Sequence, residues 1–293
     1  MLILTVPFLL CGSGVSAWGA DLSAPIDPNT LREKVATATR RVGVLTIDGK
    51  LDDEAWQTAE PIDAFLQQDP DDLAQPREKT VAWVVYDDRY LYVAIQCYQE
   101  PETIRARLAR RDAWNDAAGN KADWVAVRID SQNDDLNSKI FIVNAAGVQI
   151  DFLTSTDNSI SQWDGVWLSA VQQDAEGWSV EIGVPLTLLS FSDKPRQTWG
   201  IQFDRGVSHN DGWTTWPGKA RGNPGITSMY GVLQGIENIS AVRAMEIQPY
   251  MLGGTSKTEQ VERTGDIGVD LVYPLTADTR ISATINPDFG QVE

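Results

Sequence analysis

From Val42 onward the chain is cut into short apolar stretches by turn residues, and this punctuation limits the fold more than any other feature. Candidate strands are 42–47, 62–67, 78–86, 90–98, 123–130, 138–144, 148–154, 166–173, 178–184, 198–207 and 228–233. Turn signals separate them at Asp87-Asp88, Ala145-Ala146-Gly147 and Asp174–Gly177. Tyr90, Tyr92 and Ala94 alternate with Leu91, Val93 and Ile95, as in a strand whose two faces pack differently. Many short strands at this spacing predict an all-β sandwich. Short helices are expected at Asp52–Thr58 and Pro101–Arg111, and Leu31–Arg40 has the pattern of a third.

Charge and rare residues exclude several functions. The 293 residues carry 24 basic and 41 acidic side chains, a net charge of −17, which is the wrong sign for a nucleic-acid backbone. Two cysteines do not make a disulfide scaffold, and the single histidine, His209, excludes His-rich zinc sites. No nucleophile elbow, P-loop or dinucleotide fingerprint is present. Ser208-His209 has no obvious orienting partner in the sequence and reads as a loop pair. Glycoside hydrolysis needs two opposed carboxylates, and 41 acids supply such pairs by chance.

The two ends carry targeting signals. Residues 1–20 are uncharged, with an apolar run Leu2–Leu10 followed by Val15-Ser16-Ala17, which reads as a secretory signal peptide and implies export to the periplasm or outer membrane. Residues 21–41 read as a polar linker, 42–236 as the sandwich, and 244–293 as a further unit. In that unit Ile267, Val269, Leu271 and Tyr273 share one face, and Ile281, Ala283 and Ile285 alternate with polar residues. The pattern fits the first strands of a truncated transmembrane β-barrel, and on pattern alone it fits an ordinary half-exposed antiparallel sheet better. With only two or three strands before Glu293, the chain reads as a fragment of a longer protein.

Three groups of residues are candidates for binding. Asp130-Ser131-Gln132-Asn133-Asp134-Asp135 concentrates oxygen ligands after a strand, and Asp130, Asn133 and Asp134 are candidate calcium ligands; a solvated turn is the alternative. Arg105, Arg107, Arg110 and Arg111 form the only basic cluster, read either as a solvated face or as a contact for an anionic glycan or lipid headgroup. Among 11 tryptophans, Trp114, Trp163, Trp213 and Trp216 fall in expected loops, where they either anchor the loops or stack on sugar rings.

Several runs together resemble family 9 carbohydrate-binding modules: Ile47–Trp56, Tyr86–Val93, Asp123–Asp130, Phe141–Asn144, Gly177–Glu181 and Trp199–Ile201, spanning residues 42–236. The resemblance implies an immunoglobulin-like antiparallel sandwich, bound calcium and recognition of sugar ends between two tryptophans. By position Trp114 falls in the loop supplying one tryptophan and Asn144 matches a sugar-contacting asparagine; the second tryptophan belongs near Asn223-Pro224, where this sequence has no aromatic residue. Asp123 opens a matching strand and joins Trp114, Asn144, Trp163, Trp213 and Trp216 as the candidate carbohydrate-binding set. Ala126 and Ile142 stand where the resemblance implies an acidic residue and an arginine. Asn286–Glu293 resembles a second family, of unknown function, in which such a module precedes an outer-membrane barrel. The functions implied are an exported module that binds poly- or oligosaccharide in carbohydrate catabolism on an outer-membrane barrel, a structural or gating domain of that barrel, or, last, a glycoside hydrolase. The family supplies binding rather than catalysis.

Overall fold

A computed structural model of the chain describes residues 31, 33–119, 121–155, 160–220, 227–240, 245–257, 261–275 and 279–286. The signal-peptide segment, Asn223-Pro224 and residues 287–293 lie outside these. The strands are β1 (Val35–Thr37), β2 (Thr39–Arg40), β3 (Leu66–Asp69), β4 (Thr80–Tyr86), β5 (Tyr90–Tyr98), β6 (Trp124–Asp130), β7 (Asn137–Asn144), β8 (Gln149–Ser155) and β9 (Ile160–Gln162). They continue with β10 (Leu168–Gln173), β11 (Gly177–Pro185), β12 (Trp199–Val207), β13 (Gly212–Trp216), β14 (Gly231–Gln234), β15 (Glu246–Lys257), β16 (Val261–Pro274) and β17 (Arg280–Ile285). Two short helices, α1 (Glu54–Thr58) and α2 (Trp114–Ala117), complete the set.

The larger sheet runs β1-β14-β12-β6-β7-β8-β9, with β13 and β3 continuing from β12; the smaller runs β10-β11-β5-β4-β2. Alternation decides what each face buries. Leu91, Val93, Ile95 and Cys97 of β5 meet Val125, Val127, Ile129, Phe141, Val143, Ile201 and Phe203 of the larger sheet in one core. Each outer face is partly covered. Tyr92 and Ala94 on the outside of the smaller sheet pack under Ala55 and Trp56 of α1. Ala126, Ile140, Ile142 and Ile150 on the outside of the larger sheet form another cluster with Ala117 and Ala118, against which Ala109 and Trp114 pack.

One buried carboxylate explains why the 47–56 segment sits as it does. Glu181 of β11 is fully buried and accepts hydrogen bonds from Asp48 N (2.8 Å), Gly49 N (2.7 Å) and Trp56 Nε1 (2.8 Å). Gly49 has φ +89°, and a Cβ there would lie 2.6 Å from the Val171 carbonyl carbon, so the turn requires glycine.

Four sequence expectations give way. Residues 35–40 are not helical: β1 and β2 pair in parallel with β14 and β4, so the sandwich is not wholly antiparallel. Residues 42–47 are not a strand, and Thr46 N donates to Asp53 Oδ2 (2.8 Å) instead of to a neighbouring strand. Pro101–Arg111 forms only one 3₁₀ turn, Pro101–Thr103, and then runs on without regular structure. Its backbone is claimed elsewhere: Arg105 N donates to Asp123 Oδ2 (3.1 Å), and Arg107 O accepts from Asn144 Nδ2 (2.7 Å).

Strands β15, β16 and β17 form a separate antiparallel sheet. Its register places Ile247, Leu271 and Ala283 side by side, and Met251 with Ile267, so one face is apolar across all three strands. Ile247, Met251, Ile267, Ile281 and Ile285 are exposed. The three described strands do not close on themselves.

Candidate functional site

The larger sheet carries a groove on its outer face because β6, β7 and β12 alternate. Val125, Val127 and Ile129 point into the core, which sends Trp124, Ala126 and Arg128 outward; the same rule turns Ile140 and Ile142, and Gln202 and Asp204, outward. The groove holds about 330 Å³ and is lined by Gln68, Trp114, Arg128, Ile140, Ile142, Phe152, Gln202, Trp213 and Lys219. The two isoleucines make an apolar floor, and half-buried Trp114, Trp213 and Phe152 rise around it. Both tryptophans stand edge-on to the buried Trp124, with ring centroids 5.2 and 5.5 Å away. Trp124 lies flat because position 206 is glycine: a Cβ there would come within 2.2 Å of its Nε1. A second cavity of about 250 Å³, with Asp69 and Asp211 in its wall, shares Trp114 and Trp213 with the first.

The polar groups of the groove are coupled. Asp204 is buried and accepts from Arg128 Nε and from Gln202 Nε2 (2.8 Å). Burial, the largest single influence, works against the Arg128 charge, but Asp204 and Tyr230 together outweigh it and raise the guanidinium pKa. Lys219 is shifted down, first by burial and then by Arg128, with Asp204 opposing. The carbonyl oxygen of the buried Gln202 side chain has no hydrogen-bond partner, an acceptor left for a donor arriving from outside. Asp204 is the Cα neighbour of Ala126, which in turn pairs with Ile142. Sequence reasoning missed Arg128, Gln202, Asp204 and Lys219; the outward alternation Trp124–Ala126–Arg128 was the available signal.

Of the expected binding residues, only Trp114 and Trp213 meet in the groove. Trp216 is 3% exposed and packs on Phe203 in the core, 5.8 Å between centroids. Trp163 packs against Phe141 at 5.9 Å, on the interior side of β7, with Lys139 over its ring. Asn144 is fully buried and spends its side chain internally: Nδ2 donates to Arg107 O and Ala117 O (2.9 Å), and Oδ1 accepts from Ala146 N and Val148 N (both 2.9 Å). Asp123 is likewise buried, accepting from Gln99 Nε2 (2.7 Å), Arg105 N, and the N (2.7 Å) and Oγ (2.8 Å) of Ser208. That last bond turns the Ser208 hydroxyl toward Asp123, while His209 pairs with Glu78 at 3.2 Å. Arg111 is tied down too, bonded to Asp151 and Gly165 O (2.7 Å).

The calcium expectation meets an unsuitable donor set. Asp130 Oδ1 accepts from Gln132 N (3.1 Å) and Asn133 N (2.8 Å), and Oδ2 accepts from Asp135 N (3.0 Å). Asp134 Oδ1 accepts from Leu136 N (2.8 Å). Amide hydrogens therefore face the carboxylate where a cation would sit, and among the described residues no cluster of three His, Cys, Asp or Glu could hold a metal. The loop is capped by its own backbone. Asp130→Ala is expected to cost about 1–3 kcal/mol, the penalty for stranding those donors. Melting curves should show the same loss in millimolar calcium and in excess chelator; a loss seen only with calcium would restore the metal site.

Fold and groove together define a β-sandwich module with an aromatic-walled cleft on the outside of its larger sheet. The chain belongs to the family described as carbohydrate family 9 binding domain-like, whose model matches residues 47–233. A family 9 carbohydrate-binding module from Caldicellulosiruptor kristjanssonii, solved with glucose, shares the fold at 17% identity and a TM-score of 0.51, covering 69% of this chain and 95% of its own. A candidate carbohydrate-binding protein from Bacteroides uniformis does so at 12% identity and a TM-score of 0.54, covering 69% and 98%. No curated protein sequence matches the chain.

Proposed function

We propose that this protein binds carbohydrate in the groove between Trp114 and Trp213. The observation that carries the reading is the combination of two half-buried tryptophans over an isoleucine floor with Arg128, Gln202 and Lys219 in the same lining. Aromatic faces bury the C–H face of a pyranose, and polar side chains around the wall select its hydroxyls. The family membership and the glucose complex of the C. kristjanssonii module support a saccharide ligand. Titration with xylo- and cello-oligosaccharides, followed by tryptophan fluorescence, tests it. Trp213→Ala is expected to weaken binding about tenfold or more, while Trp163→Phe, on the other face of the sheet, leaves affinity unchanged. Absence of any spectral shift at millimolar sugar would defeat the proposal and leave a structural role for the sandwich.

We also propose that β15–β17 begin an outer-membrane barrel that carries the exported module. The support is the apolar face of Ile247, Met251, Ile267, Ile281 and Ile285, exposed on strands whose register aligns them. No helix among the described residues is long and apolar enough to cross a membrane. Fractionating cells that express the whole gene decides the matter: recovery with outer membranes is expected, and recovery only in the soluble periplasm would rule the barrel out.

A further inference from the structure

We infer that the groove selects an acidic saccharide, one bearing a uronic-acid carboxylate, and that Lys219 is the counter-charge for that group. The inference rests on the saccharide reading above and narrows it to a ligand class.

The argument begins with the charge inventory of the groove. Among the described residues, Arg128 and Lys219 are its only charged lining residues. The acid nearest to them is Asp204, whose carboxylate is buried and already bonded by Arg128 Nε and Gln202 Nε2, with Trp213 Nε1 at 3.5 Å. Arg128 and Asp204 cancel. Lys219 is left over, forming no ion pair among the described residues while sitting half-buried beside a second cation. Burying an ammonium without a partner is costly, and a neutral sugar leaves that cost in place; a carboxylate removes it. The protein as a whole carries −17, so a cationic groove is not a by-product of composition.

Two further observations agree. The adjoining cavity beyond Trp114 and Trp213 has the opposite character, with Asp69 and Asp211 in its wall and no Lys or Arg. The cleft is therefore polarised along its length, and a carboxylate-bearing ring is steered to the Lys219 end. Moreover, Arg105, Arg107 and Arg110 lie exposed on the segment that leads into Trp114. Among the described residues only Arg107 of these three has an ion pair, with Asp116 at 4.0 Å.

The test uses the whole chain and two matched probes: xylotriose, and xylotriose carrying one glucuronic-acid branch. At low salt the acidic probe is expected to bind about tenfold tighter, with the advantage shrinking as ionic strength rises. Lys219→Met should bring the ratio of the two affinities close to one, and Trp213→Ala should weaken both probes together. Equal or tighter binding of neutral xylotriose, still weakened by Trp213→Ala, would overturn the acidic preference while leaving the saccharide site standing. A preference that survives Lys219→Met would remove Lys219 from the role assigned to it. Failure of both probes to bind, or binding that Trp213→Ala does not affect, would overturn the groove itself.

Discussion

Glu181→Ala is expected to destabilise the sandwich by roughly 3–5 kcal/mol, because it strands two backbone amides and an indole N–H inside the protein. For a domain of this size that corresponds to a fall in melting temperature on the order of 10 °C. The effect depends on pH in a definite direction. Burial, the largest influence, pushes the Glu181 carboxyl above its ordinary range, with the donors from Trp56, Gly49 and Asp48 opposing. A folded pKa above the unfolded one means that the stability linked to this proton is full below the unfolded pKa and is lost as pH rises through the folded pKa. The gap between wild type and variant should therefore be wider near pH 4 than at pH 7. Thermal melts at the two pH values check both statements; a shift of under 2 °C, or a gap that widens with pH, would refute the account of the lock.

Arg205 is the second large effect. It is fully buried between the sheets, where Nη1 donates to Lys79 O (2.8 Å) and Thr80 Oγ1 (3.0 Å), and Nη2 donates to Tyr98 O (3.0 Å) and Gln99 Oε1 (2.9 Å). The fork thus ties β12 to the start of β4 and the end of β5. Among the described residues no carboxylate forms an ion pair with it, but Gln99 relays to one, since its Nε2 donates to Asp123 at 2.7 Å. Arg205→Met is expected to cost about 3–5 kcal/mol through orphaned carbonyls and a broken network. Arg205→Lys should recover little of this, because a single ammonium cannot span the four acceptors that a planar fork reaches. Urea unfolding midpoints distinguish the cases. Rescue by lysine would show that the charge and not the fork matters.

How much of this was legible in the sequence varies by scale. Strand β5 follows directly from the alternation of Tyr90–Tyr98, since a period of two survives in any sheet. The helix expected at Pro101–Arg111 fails because Asp123 and Asn144, distant in sequence, capture its backbone; helical propensity is a weak force against buried hydrogen bonds. The same two residues looked like ligand contacts, since a polar side chain at a strand end reads alike whether it closes an internal network or faces a sugar. Trp213 and Trp216 were expected in a loop, whereas the structure puts both on β13. Three residues apart on one strand, they must face opposite ways, and they do: Trp213 into the groove and Trp216 into the core. Arg128, Gln202, Asp204 and Lys219 converge from distant parts of the chain, and only pairing of β6 with β12 brings the first three together. No spacing rule contains that.

The parallel pairing of β1 with β14, Val35 opposite Val232, has a consequence for how the module comes into being. The first strand of the larger sheet to be synthesised has its partner almost two hundred residues later, so nothing local can hold it while the chain emerges. The sheet gains its last edge only when Gly231–Gln234 arrives, and until then Val35–Thr37 remains a bare strand able to pair with any neighbour. Addition of β1 to the larger sheet is therefore a late step in the life of the chain. The interval before it is when a binding chaperone would matter most.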